Sequence, residues 1–494
     1  MTLVHLRFSL ALGRRLVLVG IVSLAGCAVH QAGFEEPLDP PATFVDEDRG
    51  EAYSTALPDR WWVAFEDETL NELIDVALGA NFDLATFRDR LEAARAVVRR
   101  ERSFLFPSVN YSLFAEQSRR HSDDYSSDNR FGASLAGSYE VDVWRRNRSA
   151  RDSAAFRESI IAEQLKAAAI SLSSEVALTW YALVEQRGQA EVLEQQIATN
   201  EQVLRVVRTR FGSGVVRASD VLRQERLLES TREQRTVVQA RIDVLEHALL
   251  VLLGRSPTES IEAGRDTLPD VPLRPRLGLP SELIQRRPDV RSALYAIREA
   301  DADVAVAVAA RYPTVTIGLS ASTIEDNIAD LFDDWASLLS IDVLGPLFDA
   351  GRRESEVERT EAVKAERINV YAQTVLTSFR QVVDAVTNEN AREAQIRLIE
   401  RQLELAHRTS ERLNREYFNG DISYIDVLDA LTTEQQLQRD LLSARYARIG
   451  DRIDLYRSLA GGWDGIVPPA DATVPVDASN DTSATTSSPA TPPA

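Results

Sequence analysis

The middle of this chain is written twice. At an offset of 206 residues Pro107 returns as Pro313, Arg146 as Arg352, Gly214 as Gly420, and Asp220-Val221-Leu222 as Asp426-Val427-Leu428. Residues that turn the backbone or start a helix recur in register while the surface between them does not. A duplicated unit of this size implies a pseudo-symmetric architecture in which each half supplies equivalent parts of one object.

Within each copy the hydrophobic period is helical over a long stretch. Leu165, Ala169, Leu172, Val176, Leu183, Ala190, Leu193, Ile197, Leu204 and Val207 follow alternating steps of four and three, with polar Thr179, Gln186 and Asn200 in the gaps. That is a coiled-coil seam. In the second copy it reads Tyr371, Val375, Ser378, Val382, Ala385, Ile396, Ile399, Leu403, Ala406, Leu413 and Tyr417, interrupted by Glu389 and Arg392. The spacing predicts helices from near Arg145 to Thr209 and from Arg352 to Arg415. Each would be on the order of 100 Å long at 1.5 Å per residue.

Ahead of each long helix the period changes to two. Val109, Tyr111, Leu113 and Ala115, then Phe131, Ala133, Leu135, Tyr139, Val141 and Val143, alternate with polar residues, as do Val315, Ile317, Leu319 and Ala321, then Leu339, Ile341 and Val343. Each copy therefore predicts a strand pair with one apolar and one polar face, joined by polar loops over Glu116 to Arg130 and Thr323 to Asp334. Alternation alone fits a soluble sheet packed on helices as well as a membrane sheet. In a membrane, however, four strands cannot close a barrel, and open edges in lipid cost several kcal/mol per unpaired group. Chains would have to share one barrel. Two copies give eight strands and a filled lumen, whereas three give twelve and room for water.

The ends of the chain carry other signals. Arg7, Arg14 and Arg15 precede the apolar run Leu16 to Leu24, which leads into Leu24-Ala25-Gly26-Cys27, where Cys27 is the only cysteine. The run is too short to span a bilayer and reads as a secretion signal over residues 1–26, with small residues before the cysteine as in a lipobox. Cys27 is then the expected lipidation site, and no intrachain disulfide is possible. Residues 27–60 are punctuated by Pro37, Pro40, Pro41 and Pro58 and read as an extended segment; residues 464–494, rich in Pro, Ala, Ser and Thr, read as a disordered tail. The packed body starts at Trp61-Trp62, giving repeats over 61–270 and 271–463.

Composition excludes several classes. The net charge is -20, and loss of the three leader arginines makes it -23, which leaves nucleic acid as no expected partner. His5, His30, His121, His247 and His407 are scattered without metal spacing, and no phosphate loop or nucleophile elbow occurs. No catalytic residue, metal or cofactor is expected.

Four segments carry a resemblance to a known family. Gly278-Leu279-Pro280-Ser281-Glu282-Leu283-Ile284-Gln285-Arg286-Arg287-Pro288-Asp289-Val290-Arg291 looks like the repeat-linking signature of the NodT class of outer-membrane efflux lipoproteins, relatives of TolC. Tyr139 to Arg148, Phe348-Asp349-Ala350-Gly351-Arg352 and Tyr417 to Ala430 agree with it, so the resemblance covers about residues 60 to 461. It implies a mainly α chain with a β membrane part: a homotrimer with four strands per chain in a shared 12-stranded barrel, and coiled-coil helices forming a periplasmic tunnel. It also implies a bacterial outer membrane location, contact with outer-membrane lipid, and a periplasmic adaptor and inner-membrane pump as partners. The duct would pass small molecules such as drugs. A protein-secretion port of the same superfamily, or a lipid-anchored periplasmic scaffold without a pore, remain the alternatives.

The residues themselves locate a candidate gate. Tyr417-Phe418-Asn419-Gly420-Asp421 breaks the seam with turn formers, so a tip joins two antiparallel helices there. Asp426 and Asp429, three apart, share a helix face, and threefold symmetry would gather six carboxylates on the axis. The plainer alternative is that they only complement the helix dipole. The resemblance implies a periplasmic gate at Asp426 and Asp429, closed by a bond between the counterparts of Tyr417 and Asp220. A second lock in TolC uses an arginine where this chain has Ile422, and Arg145 stands where relatives commonly have glycine. Adaptor contacts are expected at the tips, around Gly212, Gly214 and Gly420.

Overall fold

The structure, a computed structural model, describes residue 33 and residues 60–120, 126–261, 264–265, 267–277 and 280–459. The leader, Cys27, Gly278-Leu279 and the C-terminal tail lie outside these residues.

A 3₁₀ turn at Trp61–Phe65 leads into helices α1 (Glu68–Ala80) and α2 (Phe82–Ser103). Asp67 and Asn81 cap them, each accepting a backbone N–H from three residues on, Leu70 N at 3.1 Å and Leu84 N at 3.0 Å. Strands β1 (Ser108–Arg120) and β2 (Ser126–Val141) follow, then α3 (Arg146–Gly212) and α4 (Ala218–Leu252). The second half repeats the order with α5 (Pro280–Arg286), α6 (Pro288–Ala309), β3 (Thr314–Glu325), β4 (Ala336–Leu344), α7 (Arg352–Asn419) and α8 (Tyr424–Ser458). The two long helices have 67 and 68 residues, and each folds back on a partner of 35.

Both long helices start from a left-handed residue. Gly351 takes φ 85° without a side-chain penalty. Its counterpart Arg145 takes φ 62°, ψ 20°, the same turn made by a residue that pays about 1–2 kcal/mol for it. The departure from glycine at Arg145 thus leaves the turn geometry intact.

The four strands form one antiparallel sheet in the order β1-β2-β3-β4. Its register collects the alternating residues of both repeats onto common faces. Val109, Gly137, Leu319 and Leu339 form one row, and Tyr139, Ile317 and Ile341 the next. On the other face Ser108, Ser138, Gly318 and Ser340 align, beside Glu140, Thr316 and Asp342. One apolar row interrupts the polar face, Phe114-Gly132-Ile324, where the Phe114 ring lies over Gly132, 2.2 Å from where a Cβ would stand. Tyr111, Leu113, Leu339 and Ile341 are all exposed, so the apolar face is left uncovered. Strands β1 and β4 end the sheet with unpaired edges among the described residues.

The strands run further than their periodicity predicts. Arg119 pairs with Ser127 inside the first stretch expected as a loop, and Glu325, in the second, pairs with Phe131. Once both faces are polar, alternation carries no signal although the backbone ladder continues.

The main core lies midway along α3, where Trp180, Tyr181 and Leu183 meet Trp61, Trp62, Phe65, Ile74, Leu249, Ile453 and Tyr456. Trp61 stacks on Tyr456 at 5.6 Å, and Trp180 Nε1 donates to Asp67 at 3.0 Å. Ties between the beginning and end of the chain therefore close the helical body around its waist.

Candidate functional site

The two helix tips are duplicated bond for bond. In the first, Gly214 N donates to Phe211 O at 2.9 Å and Val215 N to Arg210 O at 3.0 Å; in the second, Gly420 N donates to Tyr417 O at 3.1 Å and Asp421 N to Glu416 O at 3.0 Å. Gly214 (φ 74°) and Gly420 (φ 86°) supply the left-handed residue that this helix ending requires. Gly212 does not share that role. It is the last residue of α3, exposed, with no positive φ and open space around it.

After each turn an aspartate begins the return helix. The Asp220 carboxylate accepts Arg217 N at 3.2 Å, and that of Asp426 accepts Ser423 N at 3.2 Å and Ser423 Oγ at 2.8 Å. Each carboxylate therefore satisfies the N-cap backbone N–H at a positive helix end, the half of a capping box that the third helical residue supplies. Asp220 also pairs with Arg223 at 3.1 Å. Asp429, one turn beyond Asp426, is exposed, and its carboxylate makes no hydrogen bond or ion pair among the described residues.

Tyr417 and Tyr424 hold the second tip. Their rings lie 5.5 Å apart in a cluster with Val207, Val427 and Leu428, and Ile422 packs against it. Ile422 thus adds an apolar contact where TolC, by resemblance, has a basic lock. The Tyr424 hydroxyl donates to Gln224 Oε1 at 2.5 Å, linking the two hairpins. The Tyr417 hydroxyl is buried with no hydrogen-bond partner among the described residues, so the expected bond to Asp220 is not formed. Asp220 is held by its cap and by Arg223 instead. Burial pushes the Tyr417 pKa up; the Arg210 cation opposes this and the Asp220 charge adds to it.

Above the tip the hairpins meet through a buried polar ladder. Gln196 Nε2 donates to Gln435 O at 3.0 Å, Gln435 Nε2 to Asn200 Oδ1 at 3.1 Å, and Gln224 Nε2 to Asn200 O at 2.9 Å. Such paired amides fix one register between helices, because any slip leaves buried polar groups unsatisfied.

Sequence reasoning missed Arg210, Gln224 and Tyr424. The repeat itself carries a hint: Arg210 stands opposite Glu416 and Tyr424 opposite Ala218, changes of charge and size on either side of the matched Gly214 and Gly420.

The chain is also similar to known proteins over nearly all of this architecture. The family described as Outer membrane efflux protein matches residues 73–255 and 279–461. The pyoverdine export outer membrane protein OpmQ of Pseudomonas aeruginosa is 30% identical over 421 residues, 82% of this chain and 87% of the relative. The toluene efflux pump outer membrane protein TtgF of Pseudomonas putida is 28% identical over 468 residues, 90% of this chain and 96% of the relative. Among solved structures, the outer-membrane channel OprN superposes with a TM-score of 0.82 at 23% identity, over 88% of this chain and all of that one. The outer membrane protein VceC of Vibrio cholerae gives 0.76 at 23% identity, over 82% of this chain and 99% of that one. The fold is that of TolC-like outer-membrane channels, and the chain belongs to the Outer membrane efflux protein family, whose members are channels and not enzymes.

Proposed function

We propose that three copies of this chain form the exit duct of a tripartite efflux system, passing small molecules from an inner-membrane pump and a periplasmic adaptor to the outside. The sheet carries this reading. Its register gathers apolar residues from both repeats onto one uncovered face, and its two open edges demand neighbours that also supply strands. Three copies give twelve strands, with the Ser, Thr, Asn and Glu face inward. The relatives named for pyoverdine and toluene support small molecules as cargo. In this reading the α7–α8 tips converge on the axis, where Asp429 is free to meet its symmetry mates while Asp426 also caps its helix. The first tips, with exposed Phe211 and Val215 around Gly212 and Gly214, face the adaptor, and Gly420 keeps the inner turn open to it.

Lipidation of Cys27 belongs to the same proposal. Lys364 Nζ donates to Gly33 O at 2.7 Å, tying Gly33 to α7. Lys364 lies twelve residues into α7, about 18 Å from its start below the sheet. The six residues from Gly33 to Cys27 can span about 20 Å, so an acylated Cys27 can reach the level of the membrane surface.

Single-channel currents from the mature protein in a planar bilayer test the duct, with Asp426→Asn/Asp429→Asn alongside. Small cation-selective steps that lose selectivity or grow in the double variant are expected. If neither protein conducts despite confirmed insertion, the pore reading fails and a periplasmic scaffold replaces it.

A further inference from the structure

Arg210 occupies a position that no part of the expected gate accounts for. It sits in the last turn of α3, and its guanidinium lies 4.5 Å from the Tyr417 ring centroid and 5.5 Å from that of Phe418, both in the last turn of α7. Its Nη1 also points at Tyr417 O, 3.5 Å away. Among the described residues Arg210 makes no ion pair, although Asp220 lies close enough to act on Tyr417. A guanidinium that stacks on rings without a carboxylate keeps its charge available to them. Arg210 stands in the last turn of α3 and reaches a carbonyl in the last turn of α7, and both helix ends favour a cation. The equivalent residue of the second repeat, Glu416, is bonded to Arg412 within its own helix at 2.8 Å and bridges nothing.

We propose that Arg210, stacked on Tyr417 and Phe418, is the latch that holds the inner hairpin α7–α8 against the outer hairpin α3–α4 in the closed state. Tyr417 contributes its ring and not its hydroxyl. The latch replaces both locks expected from the resemblance: the Tyr417–Asp220 bond, which is not formed, and the basic residue whose place Ile422 takes. Opening the tip separates the cation from the rings and breaks the neighbouring Tyr424–Gln224 bond, so the latch works one copy at a time. It rests on the reading of this tip as the gate of a duct.

Bilayer recordings on four variants test it: Tyr417→Phe, Tyr417→Leu, Arg210→Gln and the pair Arg210→Gln/Tyr417→Leu. Tyr417→Phe should behave as wild type, because the ring is kept. Arg210→Gln and Tyr417→Leu should each raise the open-to-closed ratio by about three- to thirtyfold, the range of a partly desolvated cation–ring contact. The pair should open no further than the stronger single variant, since both remove one interaction. Arg210 is half-buried at the surface, so Arg210→Gln carries the test if Tyr417→Leu fails to assemble. Opening by Tyr417→Phe as large as that by Tyr417→Leu would make the hydroxyl the lock and overturn the latch. An unchanged Arg210→Gln also overturns it, leaving the gate reading intact if Asp426→Asn/Asp429→Asn still alters selectivity. If none of these substitutions moves conductance or selectivity, the gate reading itself fails and the latch with it.

Discussion

Leu183 and Glu389 hold the same place in the two repeats, and neither reaches solvent, with exposures of 0% and 1%. Around Leu183 the seam is apolar, continuous with the aromatic cluster of Trp180, Trp61 and Tyr456. Around Glu389 it is ionic. Arg452 bonds both Glu389 and the Pro272 carbonyl, while Arg274 Nε meets Glu389 Oε2 at 3.3 Å and its Nη2 donates to Asn390 Oδ1 at 2.7 Å. The difference lies in what each position must receive. The first repeat packs side chains from α1 and the N-terminal turn; the second must seat the segment joining the repeats, whose backbone carbonyl at Pro272 needs a donor. Buried charges are an expensive way to build a core, but they specify one seating for that segment. Duplication kept the helical path and let the chemistry of the seam follow its neighbours.

The comparison breaks most readily at Glu389. Glu389→Ala removes the buried carboxylate that Arg452 and Arg274 share and should cost about 3–5 kcal/mol, whereas replacing the whole triad, Glu389→Leu with Arg274→Met and Arg452→Met, should recover most of that. Denaturant unfolding in detergent measures both; a loss below about 1 kcal/mol in Glu389→Ala would mean that the triad does not hold the linker. A finer test uses the paired helix starts. Gly351→Ala should destabilise by about 1 kcal/mol, because its φ of 85° becomes strained. Arg145→Gly should gain a few tenths, the relief of strain offset by about 0.5–1 kcal/mol of glycine entropy. Equal losses at both sites would show that the two turns are not energetically equivalent. The smallest effect is expected at His407, which bridges α7 to Glu434 of α8 at 2.8 Å. The bond to Glu434, and then its charge, raise the imidazole pKa above its ordinary 6.5. Its contribution is complete below that value and fades as pH rises through the raised one. His407→Gln should therefore flatten the melting temperature between about pH 5 and 8, with the wild type losing its advantage toward alkaline pH.

Much of this architecture was legible because it is periodic. Heptads placed both long helices to within a few residues of Gly212 and Asn419, and alternation found all four strands. The hairpin tops were not, since Gln117 and Asn129 pair where neither face is apolar. At the tip, the turn glycines and the cap of Asp426 follow from local rules, but Arg210 meets a ring 207 residues away. Glu389 was visible only as an interruption of the seam; its partner Arg274, 115 residues upstream, comes from a stretch with no period at all. Contacts of that kind depend on how the repeats fold onto each other, which no local pattern records.

The two bare edges of the sheet have a genetic corollary. If every pore needs three chains to supply each other's missing neighbours, no chain succeeds or fails alone. A cell making equal amounts of normal and edge-damaged copies would retain only about one intact assembly in eight, so damage along β1 or β4 should be inherited as a dominant trait. Lesions confined to the exposed first tip would spare the ring and leave the other copies usable.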